Sequence, residues 1–147
     1  MKKYVLLLVV ALGISAMTTA QNYIGKTKEQ ITTILDSKGI DYHTYYTNDG
    51  NIGIYYESDI EKRVYVINVE GYCSWYAALS NDEGFVYNMR RYAVTKQFIQ
   101  SKVSDRYMYT YKKANHEILI GSVTDELRED SESMFYGWNY FLIYNVR

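Results

Sequence analysis

Apolar residues open the chain as one block and afterwards scatter into short periodic runs. Met1-Lys2-Lys3 leads into an almost unbroken apolar stretch from Tyr4 to Gly13, and Ile14–Ala20 closes on the small residues Thr18-Thr19-Ala20 ahead of polar Gln21-Asn22. A positive head, a short apolar run and a small-residue exit are the three parts of a secretory signal peptide. The run is shorter than the ~20 apolar residues that a spanning helix needs. The pattern therefore predicts a signal peptide over residues 1–20, export to the periplasm or out of the cell, and one α+β domain over residues 21–147.

After the block, periodicity predicts a helix and then strands. Thr27 and Gln30 hold the N-cap and third helical position of a capping box, in which each side chain satisfies a backbone N–H that the helix start leaves unpaired. Ile31, Ile34 and Leu35 form one apolar stripe, and Gly39 is placed to end the helix in the left-handed region. Strands are expected over Asp41–Thr47, Ile52–Glu57, Arg63–Val69 and Tyr72–Leu79, with Asn48-Asp49-Gly50-Asn51 a strong turn. A second helix is expected over about Tyr87–Lys102, with Tyr92, Thr95, Phe98 and Ile99 along one side. Asp105–Tyr111 alternates, putting Tyr107, Tyr109 and Tyr111 on one face and Arg106, Met108 and Thr110 on the other. His116–Val123 reads as a strand and the acidic stretch Asp125–Glu132 as a solvated loop. Met134–Val146 reads as a long aromatic strand bent or bulged at Gly137.

Helix plus strands thus occurs twice, in halves of about 21–80 and 84–147. A slide of 64 residues brings Ser37, Lys38, Asp41, Tyr45, Asn51, Ile54 and Ser58 onto identical residues at Ser101, Lys102, Asp105, Tyr109, Asn115, Ile118 and Ser122. It also sets Ile34 and Leu35 on Phe98 and Ile99. Two degenerate helix-plus-antiparallel-strand repeats, forming one sheet with the helices on one face, are the economical architecture, because either half alone leaves a sheet face and edge uncovered.

The segment Gly25-Lys26-Thr27-Lys28-Glu29-Gln30-Ile31, with Leu35 and the tyrosine-bearing strands after it, resembles the repeat unit of β-lactamase-inhibitor-protein-like domains. It is also similar to small bacterial envelope lipoproteins that assist outer-membrane assembly. The resemblance implies a capped helix on an antiparallel sheet, a shared architecture more than a shared target. It does not extend to the paired cysteines of the inhibitors or to the lipidated cysteine of the lipoproteins, whose place is taken by Gln21.

Composition narrows the function. The net charge of −1 falls to −3 once Lys2 and Lys3 are removed, which argues against a nucleic-acid binder. After residue 20 no stretch is long and apolar enough to insert in a membrane. Cys73 is the only cysteine, so no internal disulfide forms. The chain has 18 tyrosines and no proline, which favours long strands whose flat rings cover a half-buried surface.

Chemistry is sparse. His43 and His116 are the only histidines, and no His or Cys spacing fits zinc. The carboxylates Asp125, Glu126, Glu129, Asp130 and Glu132 lack the glycine-punctuated spacing of a calcium loop. No catalytic residue, metal or cofactor is expected. The sequence reads as a non-catalytic module that binds a protein, with two alternatives: a carbohydrate-binding module using exposed rings, or a small hydrolase using Cys73 with a histidine. Candidate contact residues are Tyr107, Tyr109, Tyr111, Trp75, Trp138 and Arg106. Arg90, Arg91, Lys96, Lys102, Arg106, Lys112 and Lys113 against Asp105 alone form a basic stretch, read either as a solvated face or as a patch for an acidic or carbohydrate partner.

Overall fold

The computed structural model describes residues 23–104 and 108–147. The signal-like block and its exit at Ala20–Gln21 lie outside the described residues, as do Asp105, Arg106 and Tyr107.

The first helix, α1 (Lys28–Ser37), forms as its capping box dictates. Gln30 N–H donates to Thr27 Oγ1 at 3.3 Å, and Thr27 N–H donates to Gln30 Oε1 at 3.0 Å. Ile31 and Leu35 are buried. The helix closes with Ile40 N–H on the Leu35 carbonyl and Gly39 N–H on that of Asp36, with Gly39 at φ +65°. Four antiparallel strands follow as a meander: β1 (His43–Tyr46), β2 (Ile52–Glu57), β3 (Glu61–Ile67) and β4 (Cys73–Ser80).

The second helix corrects the expectation at both ends. α2 spans Phe85–Thr95 and stops well short of Lys102. Phe98 N–H bonds the Ala93 carbonyl and Gln97 N–H that of Val94, the same two-bond closure that ends α1. Here the left-handed position is Gln97, at φ 64°, so no glycine signals the stop. The chain then enters β5 (Ile99–Ser104), a strand that the apolar spacing had absorbed into the helix. Phe98 is buried while Ile99 is 75% exposed, so the expected continuous stripe does not exist. The residues that suggested it satisfy a helix-like spacing while straddling a cap.

β6 (Met108–Lys113) and β7 (His116–Ser122) form the next hairpins. The acidic stretch is not all loop: Thr124 caps a short helix, α3 (Asp125–Glu129). β8 (Tyr140–Val146) begins later than the expected Met134, because the chain is still turning through Ser133–Trp138, with Gly137 at φ 77°. The strand order is β1-β2-β3-β4-β8-β7-β6-β5 in one antiparallel sheet, so β4 and β8 meet in the centre and β1 and β5 are the edges. The 64-residue slide does not fit this order. It matches Tyr45 of β1 to Tyr109 of β6, and Ile34 inside α1 to Phe98 beyond the end of α2.

Register divides the side chains between two faces. Ile54, Tyr65, Tyr76, Tyr144, Ile118 and Tyr111 oppose one another from β2 to β6 and share the main apolar cluster with Ile31 and Leu35 of α1 and Phe85 and Ala93 of α2. We term this the inner face. Alternation puts Tyr45, Tyr55, Val64, Trp75, Ala77, Leu79 and Phe141 on the outer face. Ala77 and Leu79 are fully buried even there. Cover comes from the β7–β8 connection, where Phe135 packs edge-on against Phe141 at 5.7 Å between ring centres.

Candidate functional site: an aromatic strip and a basic corner

The cover over the outer face stops near β4, leaving the β1–β3 side of that face open. Its centre is a hollow of about 390 Å³ lined by Tyr45, Tyr55, Val64, Val66, Trp75 and Met134, with the Glu57–Lys62 ion pair (3.2 Å) at its margin. His43 and Tyr55 oppose each other across β1 and β2 with ring centres 5.2 Å apart. Tyr45 meets Tyr55 edge-on at 6.0 Å and 62°. Tyr45 also lies flat over Gly53, its cross-strand partner, so closely that a Cβ on Gly53 would fall 2.0 Å from the ring carbon Cζ. Only glycine leaves room for a ring there.

On the inner face, α2 brings Arg90 over the Tyr109 ring, its guanidinium carbon 3.8 Å from the ring centre. Arg90 Nε–H donates to Tyr111 Oη at 3.1 Å, and Tyr111 O–H donates to Gln100 Oε1 at 3.3 Å. Arg91 lies 5.7 Å from the Tyr87 ring centre. The sequence's single basic stretch is thereby split. Lys112 turns to the outer face and pairs with buried Glu117 at 3.5 Å, whereas Lys113 reaches back to the Lys96 carbonyl at 3.0 Å.

The described candidate contact residues do not form one site. Tyr107 and Arg106 lie outside the described residues. Tyr111 and Trp138 are buried, so as placed neither ring is open to a partner. Tyr109 is half-buried beneath Arg90, and Trp75 is half-buried in the hollow on the opposite face. Sequence reasoning missed His43, Tyr45 and Tyr55. The signal was present in Gly53 between two isoleucines, since glycine inside a strand marks a close approach.

Cys73 is buried and donates its S–H to the Trp75 carbonyl at 3.4 Å. Burial pushes its thiol up to about 11, only partly offset by hydrogen bonds from the backbone, the reverse of an activated nucleophile. His116 Nδ1 bonds Tyr144 Oη at 2.7 Å, and His43 stacks on Tyr55. Among the described residues no group of three or more His, Cys, Asp or Glu is placed to hold a metal ion, and no helix is long and apolar enough to cross a membrane. Comparison with known proteins adds no name to this geometry: no protein-family model, curated protein or solved structure matches the chain.

Proposed function

We propose that the chain is an exported, non-catalytic module that binds a protein through the open aromatic strip of its outer sheet face. The observation that carries this reading is the contiguous set His43, Tyr45, Tyr55 and Trp75 around an apolar hollow, beside an edge strand exposed along its whole length. Rigid rings give large contact area at low entropic cost. The rings meet at tilted and edge-on angles, which suits an irregular protein surface better than the parallel platform a sugar ring stacks on. The high thiol pKa of buried Cys73 weighs against the cysteine hydrolase. Within this reading the architecture is a tandem pair of helix-plus-meander units with both helices against the inner face, akin to the β-lactamase-inhibitor-protein-like repeat. Its support is the shared closure at Leu35/Ile40 and Ala93/Phe98, which replaces the 64-residue spacing with one of 58.

The test is affinity capture from the producing cell's envelope with wild type and four variants. Tyr45→Ser, Tyr55→Ser and Trp75→Ala are expected to lose the captured partner, while Cys73→Ala keeps it. The recovered native protein is expected to begin near Gln21. Loss of biological activity in a well-folded Cys73→Ala, with the aromatic variants unaffected, would move the hydrolase to first place.

A further inference from the structure

The stripe on α2 adds charge that nothing in the described fold balances. Tyr87, Arg90, Arg91 and Val94 stand at i, i+3, i+4 and i+7 on a helix that contains no acidic residue. With Gln100 and Tyr111 they line a hollow of about 360 Å³. Tyr87 and Val94 are 63% and 62% exposed. Among the described residues, Arg90, Arg91, Lys96 and Lys113 make no ion pair.

Arg90 is also preorganised. The Tyr109 ring supports its plane and the Tyr111 hydroxyl takes its Nε–H, while neither terminal nitrogen donates to any described residue. A planar fork fixed on one edge and open on the other matches the two oxygens of a carboxylate. Arg63 shows the same side chain when the fold supplies the carboxylate itself: one Glu61 oxygen, Oε2, accepts from its Nε at 2.9 Å and from Nη2 at 2.5 Å.

We propose that this hollow recognises an acidic segment of a partner protein. A glutamate or aspartate of that segment takes the open edge of Arg90 with Arg91 beside it, and a neighbouring apolar side chain lies over Val94 and Tyr87. The site is on the inner face and in the other half of the sheet, so it extends the proposal for the outer strip and does not depend on it. A protein segment fits better than an anionic membrane surface for two reasons. The site is concave, with room for a few adjacent side chains, and its exposed apolar groups alternate with arginines instead of forming the continuous apolar face that an interfacial helix buries.

The experiment uses the full chain and two labelled short peptides, one alternating glutamate with leucine and the other glutamine with leucine, followed by fluorescence anisotropy. The glutamate peptide is expected to bind saturably and about tenfold more tightly than its glutamine twin. Arg90→Lys, which keeps the charge and loses the fork, is expected to weaken it about tenfold, and Arg91→Gln about threefold. Trp75→Ala is expected to leave it unchanged, which separates this site from the outer strip. Equal affinity for both peptides, no saturation below roughly 1 mM, or loss with Trp75→Ala would overturn the proposal. So would pelleting of the protein with phosphatidylglycerol vesicles while the peptide goes unbound. If Arg90→Lys lowers the melting temperature, the exposed variants Arg91→Gln and Val94→Ser decide the matter: weaker binding supports the site, and wild-type binding overturns it.

Discussion

Arg63 and Arg90 sit in opposite halves of the same tyrosine-rich inner face, and their surroundings are completed in opposite ways. Arg63 extends from β3 into a closed group: Glu61 takes two of its donors, Tyr76 Oη takes a third, and Tyr56 O–H donates to the remaining Glu61 oxygen at 2.8 Å. Its side chain is only 13% exposed. Burial alone would lower the guanidinium's pKa, but Tyr76 and Glu61 outweigh it and hold the value above the usual one. Arg90 reaches out from α2, rests on one ring, spends one donor on a hydroxyl and meets no described carboxylate. The same residue type serves two purposes. Arg63 is a structural member whose charge is neutralised inside the fold, and Arg90 holds an unspent charge at the surface.

Removing the closed group should therefore have the largest effect on stability. Arg63→Ala strands the Glu61 carboxylate and the Tyr76 hydroxyl in a poorly solvated site, and we expect a loss of about 3 kcal/mol in urea unfolding. A loss below about 1 kcal/mol would mean that water reaches the site and that the contrast with Arg90 is not real.

Glu117 extends the comparison to the outer face, where a buried carboxylate is enclosed by Arg147 at 2.9 Å and Lys112 at 3.5 Å. Burial raises its pKa, but the Arg147 bond and charge, with Asn145 and Lys112, bring it below the ordinary carboxylate value. A lowered folded pKa means that the stabilisation is complete above the unfolded value of about 4.5 and is lost as pH falls through the folded one. Wild type should exceed Glu117→Gln by about 1 kcal/mol at pH 7, modest because both cationic partners are half exposed or more. The gap should narrow as pH falls below 4.5 and close once Glu117 is protonated in the folded state. A gap that persists at pH 3 would show that packing is responsible instead of charge.

Gly53→Ala asks whether the outer strip is as ordered as the inner network. The added methyl must displace the Tyr45 ring, which is partly exposed and free to swing away, so the expected cost is about 1 kcal/mol. In wild type the Gly53 α-protons should show an upfield ring-current shift in NMR that vanishes in Tyr45→Ser. No such shift would mean that the ring does not rest there. The smallest stability effect belongs to Arg90→Gln, at about 0.5 kcal/mol, since only one hydrogen bond and one exposed ring contact are lost. A cost equal to that of Arg63→Ala would make Arg90 structural and erase the distinction.

Much of the fold was legible where a local rule suffices. The Thr27–Gln30 box and Gly39 bounded α1, Gly50 marked the first hairpin, and β2 ran over the Ile52–Glu57 expected after that turn. The misreadings have two causes. Gln97 adopts the left-handed conformation without being glycine, so α2 looked longer and β5 was hidden. At Met134–Trp138 a run of aromatic residues resembled a strand, although the chain there is folding back over Phe141.

The sequence by itself determined α1 and the first hairpins, because capping and turn chemistry act over a few neighbouring residues. It also determined that the chain has one thiol, Cys73, and two imidazoles, His43 and His116, which is a matter of composition. Tertiary structure alone decided which tyrosines are inside, because alternation tells that Tyr109 and Tyr111 share a face but not whether that face joins the main apolar cluster. It alone joined β4 to β8, gathered His43 and Tyr45 of β1, Tyr55 of β2 and Trp75 of the central β4, and divided the basic stretch between two faces. Whether an arginine is neutralised or left open depends on the carboxylate that long-range packing brings to it: Glu61 reaches Arg63, and no described carboxylate reaches Arg90.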